Sequence, residues 1–351
     1  MSEYQIRQIL TNSPKEKAEL QALLNEVNLK LDNNIDYILG LYAEDNLIAT
    51  AACYENTLRC LAVQSKHQGE GLLSKLVSEI IRRQFLAGYN HIFVYTKLQN
   101  QKLLEQLGFY LIAKTDNIVF LENKSNGFSN YLENLAKESH NLDANSNVNK
   151  ANANNAAIVM NANPFTKGHL YLIKQAAKQV DTLHVFVVSA EHSVFPFQVR
   201  KMLVKQGSAM IKNIVYHDTG SYMISTATFP AYFQASEDLA TENQAVLEAV
   251  IFSKIAKALN IQTRFLGEEP ISHTTAIYNS VLKAELTKYN LNCNIIQRAE
   301  ADGSIISASK VRQAIKVNDW QTLNSMLPES SLKFLKSEKA SQIIERIKAS
   351  K

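Results

Sequence analysis

The chain has 351 residues, 46% apolar and 20% charged, with a formal net charge of +4. That is the balance of a soluble globular protein long enough for two ordinary domains, each with its own core. So small a positive excess makes no case for a nucleic-acid groove, yet it leaves room for a local basic pocket that holds phosphates.

The opening "MSEYQIRQIL" has neither a basic nor an apolar leader region. No apolar run approaches the roughly 18 residues that a membrane span needs. A cytoplasmic protein without a membrane partner is expected. "YQIRQIL" reads as a strand, and "SPKEKAELQALLNEV" as a helix with Ser13 as cap, Pro14 in the first turn and Glu16 closing a capping box. Three strand-like runs follow, "DYILGLYA", "NLIATAACY" and "LRCLAVQ". Cys53 and Cys60 lie in them as small core hydrophobes. With Cys293 the cysteines are odd in number and lack C-x-x-C spacing, which argues against a disulfide framework or a zinc site. A helix after Gly71 sets Leu72, Leu73, Leu76, Val77, Ile80 and Ile81 on one face. Strand "HIFVYT", helix "NQKLLEQLG" and a last strand "FYLIAKTDNIVFLE" complete an order β-α-β-β-β-α-β-α-β.

Residues 141–155 are rich in asparagine and poor in sizeable apolar side chains. Such a stretch buries too little surface to offset its ordering entropy and reads as a linker. It separates an expected domain of residues 1–140 from a second of 156–351. The second opens with strand "AAIVMNA" and helix "KGHLYLIKQAAKQV", and "LHVFVVSA", "NIVYHD", "TRFLGEE" and "CNIIQR" are further strands. Continuous apolar strands alternating with helices predict a doubly wound parallel sheet. From "SASKVRQAI" onward the chain reads as helical.

At the seam between the first strand and helix of that domain stand Thr166, Gly168 and His169. Ligands of an open α/β sheet sit beyond the carboxyl ends of its strands, where a helix N-terminus offers free N–H groups and a positive dipole end. Thr166 and His169, three positions apart, face one point above the first turn, and Gly168 lets backbone or ligand come close. A second helix start, in "GSIISASKVRQAI", puts Ser307 and Ser309 beside the cations Lys310 and Arg312. Hydroxyls and cations there suit the phosphates of a nucleotide.

Together "TKGH" and "ISASKVR" resemble the (H/T)-x-G-H and I-S-S-x-x-x-R motifs of cytidylyltransferase-like nucleotidyltransferases. That resemblance implies that the second domain binds ATP and transfers AMP. "QSKHQGEGLLSKLV" is similar to the acyl-CoA loop of GNAT-type acyltransferases, with Gln68, Gly69 and Gly71 where loop N–H groups cradle a pyrophosphate. The expected fold is therefore α/β: a GNAT-like mixed-sheet domain followed by a Rossmann-like nucleotidyltransferase domain with a helical C-terminus. The pairing, with "NANPFTKGHLYLIKQAA", "FPFQVR" and "FLGEEP", resembles the citrate lyase ligases. The resemblance implies an ATP-dependent ligase that turns acetate into acetyl-adenylate. It then acetylates the thiol of the CoA-like prosthetic group on the acyl carrier subunit of citrate lyase, releasing AMP and pyrophosphate. It implies that Thr166 and His169 stabilise charge at the α-phosphorus and that Lys310 and Arg312 hold the pyrophosphate, with Mg2+ bound through the ATP phosphates. Asn161, Asn163 and Phe165 would shape the nucleotide-facing loop, Arg200 would contact phosphate or acyl-adenylate, and Gly267 and Glu268 would line the pocket. Gln68, Gly69 and Gly71 would grip the CoA-like arm. An adenylyltransferase acting on a pantetheine phosphate would use the same two motifs, and a docking module built on two degenerate folds is the reading from another class.

Overall fold

The apolar runs of the first half form a seven-stranded mixed sheet in the computed structural model, which describes residues 4–143, 153–191, 193–223, 229–230, 232–234, 236–269, 272–301 and 304–349. Its elements are β1 (Tyr4–Gln8), α1 (Pro14–Glu26), β2 (Tyr37–Ala43), β3 (Asn46–Tyr54), β4 (Thr57–Val63), α2 (Leu72–Leu86), β5 (Phe93–Lys97), α3 (Gln101–Gln106), β6 (Tyr110–Lys114) and β7 (Ile118–Glu122). Ser13 Oγ accepts the Glu16 N–H at 3.4 Å, as a cap should, but the Glu16 carboxylate reaches back to the Leu10 N–H at 2.7 Å. The sheet runs β1-β2-β3-β4-β5-β7-β6. Only β4 and β5 are parallel neighbours, and they pair at Thr57–Phe93 and Leu58–Val94 before diverging. Cys53 and Cys60 are buried, and burial pushes their thiols up to about 11 and about 12.

The expected single strand "FYLIAKTDNIVFLE" is two. Thr115 Oγ1 accepts the N–H groups of Asn117 and Ile118, at 3.3 and 3.1 Å, and turns β6 back antiparallel onto β7. Helix α4 (Gly127–Asp143), which the sequence reading did not foresee, takes in the first three residues of the expected linker; residues 144–152 lie outside the described residues.

The second half supplies β8 (Asn155–Met160), α5 (Lys167–Ala177), β9 (Thr182–Val187), α6 (Phe197–Gly207), β10 (Ile214–Asp218), α7 (Glu237–Ala258), β11 (Ile261–Gly267), α8 (His273–Thr287) and β12 (Asn292–Ile296). A small hairpin, β13 (Glu300–Ala301) with β14 (Ser304–Ile305), precedes helices α9 (Ala308–Val317), α10 (Trp320–Met326), α11 (Glu329–Leu335) and α12 (Ser341–Ala349). The five long strands lie in the order β10-β9-β8-β11-β12, all parallel. The first of them, β8, is therefore central, and the winding reverses between β8 and β11. Ile158, Ile173 and Val185 share one core with Val311, Ile315 and Ile343, so the helical C-terminus closes over that sheet.

The chain divides into compact units of Met1–Ser129 with Phe229–Val250, and Asn130–Thr228 with Ile251–Lys351. The expected boundaries of 1–140 and 156–351 differ from these, because residues 229–250 pack with the first unit. Phe229 meets the Tyr95 ring edge-on at 5.9 Å, Tyr232 is buried among Leu20, Leu24 and Leu29, and Tyr232 O accepts the Lys30 N–H at 2.8 Å. Asn117 Nδ2 donates to Asn243 Oδ1 at 3.1 Å.

Candidate active site at the switch point of the parallel sheet

Beyond Met160 the chain must leave a buried strand and enter α5 within six residues. Ala162 takes a left-handed φ of +51°, and the Asn163–Pro164 peptide is cis. Arg200, from α6, holds this turn. Fully buried, it donates from Nε to Phe195 O at 2.9 Å, from Nη1 to Asn161 O at 2.9 Å and Val188 O at 2.6 Å, and from Nη2 to Ala190 O at 2.6 Å. Nη1 also reaches Asn161 Oδ1, which in turn accepts from Ser193 Oγ. The donors of Arg200, for which a phosphate contact was expected, satisfy the carbonyls that end β8 and β9. Phe165, expected to shape the loop, stacks on the His169 ring with centroids 5.9 Å apart. Its side chain lies in the core, so close to α6 that a Cβ on Gly207 would come within 2.4 Å of the ring. Asn163 Oδ1 accepts the Phe195 N–H at 3.0 Å, leaving its backbone carbonyl for another partner.

Thr166 caps α5, its Oγ1 accepting the His169 N–H at 3.3 Å, while the Thr166 N–H donates to His169 Nδ1 at 3.1 Å. With Nδ1 an acceptor, the neutral ring carries its proton on Nε2. Nε2 has no protein partner among the described residues. Burial, and then the Arg298 charge, push the imidazole down to about 4, so it stays neutral at physiological pH. A Cβ on Gly168 would meet Ile306 and Thr166 at 3.5 Å, ordinary contact. Protein packing alone therefore does not demand glycine there.

Ile306 introduces the second motif. Ser307 caps α9 by accepting the Lys310 N–H at 3.1 Å. Arg312 donates from Nη1 to Asn163 O at 2.6 Å and from Nη2 to Ser309 Oγ at 3.1 Å. The two helix starts are thus tied together, with the exposed Lys310 beside them and no acidic partner for it among the described residues. At the end of β11, Gly267 O accepts from Asn279 Nδ2 at 3.2 Å and the exposed Glu268 gives its N–H to Ile296 O at 2.9 Å. Sequence reasoning missed Arg298. It follows β12, donates from Nε to Glu268 O at 2.8 Å, and pairs through Nη2 with Glu269.

This arrangement has named relatives. The family model "Citrate lyase ligase C-terminal domain" matches residues 155–335, and that of the acetyltransferase (GNAT) family matches residues 4–109. The citrate (pro-3S)-lyase ligase of Escherichia coli is 33% identical over 330 residues, 92% of this chain and 91% of that protein. The chain belongs to the citrate lyase ligase family. The enzymes of that name from Klebsiella pneumoniae and Haemophilus influenzae are each 32% identical over 334 residues, 93% of this chain and 94% and 97% of theirs. The protein is therefore an enzyme of the ligase class, with a GNAT-like mixed-sheet half and a parallel-sheet half.

In the GNAT-like unit a cleft of about 470 Å3 opens where β4 and β5 diverge. Gln68, Gly69 and Gly71 line it, together with Asn100, Tyr232 and Phe233. Gly69 and Gly71 have φ of +89° and +72°, a conformation that glycine adopts freely. The Glu70 carboxylate between them is bound by Tyr4 OH at 2.8 Å and His67 Nδ1 at 3.0 Å, which hold it below the usual carboxylate range. Among the described residues no helix is long and apolar enough to cross a membrane, and no three His, Cys, Asp or Glu side chains gather as a metal site.

Proposed function

We propose that the protein is an ATP-dependent ligase acting on citrate lyase. A carboxylate oxygen of acetate attacks the α-phosphorus of ATP, the bond to the β-phosphate breaks, and acetyl-adenylate and pyrophosphate result. The thiolate of the CoA-like prosthetic group, on the acyl carrier subunit of the lyase, then attacks the acetyl carbonyl, and AMP departs. The observation that carries this reading is the 2.6 Å bond from Arg312 to Asn163 O, which ties the second motif to the loop that leads into Thr166 and His169. In such a site Thr166 fixes the imidazole and His169 donates to negative charge growing on the α-phosphate. Lys310, the Ser307 and Ser309 turn and the α9 N-terminus attract the leaving pyrophosphate. These groups fit a triphosphate. Mg2+ would be held by the phosphates and would supply charge neutralisation. Gly267 and Glu268 line the same edge of the sheet. The cleft with Gln68, Gly69 and Gly71 would hold the prosthetic arm.

The test is direct. The protein is mixed with ATP, acetate and deacetylated citrate lyase, and AMP formation with restored lyase activity is expected. ATP–pyrophosphate exchange should require acetate. Exchange that instead requires phosphopantetheine would establish the adenylyltransferase alternative, and failure to bind ATP would reduce the protein to a docking module.

A further inference from the structure

Arg298 has a place in the fold that no motif assigned to it. It leaves the sheet two residues after β12, next to β11 and one strand from β8. Its guanidinium is fixed from one side: Nε on Glu268 O at 2.8 Å and Nη2 on the Glu269 carboxylate, which also accepts the Ser272 N–H at 3.3 Å at the start of α8. Two of five N–H groups are so engaged, and the edge carrying Nη1 has no further partner among the described residues. The neighbouring Ala299 O accepts the Ile306 N–H at 3.3 Å, and Ile306 is the residue against Gly168. A short chain of contacts thus brings Arg298 to the turn that presents His169.

We propose that Arg298 supplies the carboxylate half of an oxyanion site beside His169: its free guanidinium edge binds the carboxylate substrate next to the α-phosphate that the Nε2–H faces. That the carboxylate is acetate rests on the ligase reading above; the site itself does not. Three observations favour a small monoanion over a phosphate. The arginine is already half-neutralised by Glu269, and Glu268 beside it adds a second carboxylate, so a polyanion would be repelled. The cations on α9, Lys310 and Arg312, lie at the other helix start, where Lys310 meets no acid among the described residues. A planar guanidinium also matches a carboxylate in two-point fashion, as an ammonium cannot. The charge of Arg298 reaches His169, where it helps keep the ring neutral and therefore a donor.

The experiment uses the full chain labelled with 15N-histidine, with the His169 signal assigned by its loss in His169→Gln. Spectra of wild type, Arg298→Lys and Arg298→Gln are followed against pH and against added acetate, inorganic phosphate and AMP. In wild type the ring should stay neutral down to about pH 5, and acetate should shift Nε2 with no nucleotide present. In Arg298→Gln the ring should begin to charge at higher pH, and roughly 10- to 100-fold more acetate should be needed. Arg298→Lys, the safer variant for folding, should keep the ring neutral but bind acetate more weakly. An unmoved His169 titration in Arg298→Gln overturns the proposal. So does equal acetate affinity in all three proteins, or a response to phosphate and AMP but not to acetate. None of these readouts needs turnover, so acetate-independent pyrophosphate exchange would sink the ligase reading without touching this one.

Discussion

His169 and Arg200 carry similar weight in the sequence, each polar and each inside a motif, yet their surroundings give them opposite work. Arg200 is enclosed by carbonyls, and removing one partner of a buried charged network costs about 3–5 kcal/mol. Arg200→Lys should therefore lower the unfolding midpoint in urea clearly. The folded fraction should still bind ATP within about threefold of wild type, because the guanidinium is engaged by backbone carbonyls. His169→Ala should do the reverse. Loss of a preorganised donor to a developing oxyanion costs roughly 100- to 1000-fold in kcat, with a stability change of about 1 kcal/mol from the weakened cap. Urea denaturation and pyrophosphate exchange on the two variants separate the roles. Cap chemistry made Thr166, His169 and Ser307 legible, since a hydroxyl at a helix start has few other uses. Arg298 was not legible, because its closeness to His169 depends on which strands become neighbours.

At the scale of elements, most strands could be read because each is a run of five to nine residues with a continuous apolar stretch, as in β3 and β8. The β6–β7 hairpin escaped because apolar residues flank its turn on both sides, and the Thr115 hydroxyl rather than glycine or proline closes it. Two glycines test the elements they join. In Gly207→Ala the new methyl meets the Phe165 ring, a clash relieved only by moving α6 or the loop behind β8, so a loss of about 1–3 kcal/mol is expected by thermal unfolding. Gly71 has no neighbour within 4 Å of a new Cβ, so Gly71→Glu strains only its left-handed backbone, by about 1–2 kcal/mol. Its carboxylate would occupy the cleft. Acetate-dependent pyrophosphate exchange should survive while acetylation of the carrier falls at least about tenfold, roughly the loss of one hydrogen bond to a charged group. If carrier acetylation is unchanged, the cleft does not hold the arm.

For the whole molecule, two neutral histidines, His184 buried and His169 half-buried, set an acid limit. His169 is pushed down to about 4, and His184 to about 3 by burial and then by the adjacent His217, whose Nε2 lies 3.0 Å away. Both start from an ordinary value of 6.5, so between 6.5 and 4 the unfolded chain binds more protons than the folded one. Their contribution to stability is complete above about pH 6.5 and is lost progressively as pH falls through that window. Urea midpoints measured from about pH 7 to 4.5 should decline, and His169→Gln should flatten the slope. Residues 229–250 defeat any reading by domains in sequence, since nothing local in "TFPAYF" says which core it will join. Their membership has a consequence for biosynthesis. Domains usually mature in the order in which they leave the ribosome. Here the amino-terminal core, with Leu20, Leu24 and Leu29 waiting for Tyr232, cannot be finished until residue 250 has been made. The cleft shares that delay, because Tyr232 and Phe233 form part of its wall. A nascent chain halted before residue 229 would carry Gln68, Gly69 and Gly71 and still lack the wall that faces them across the cleft.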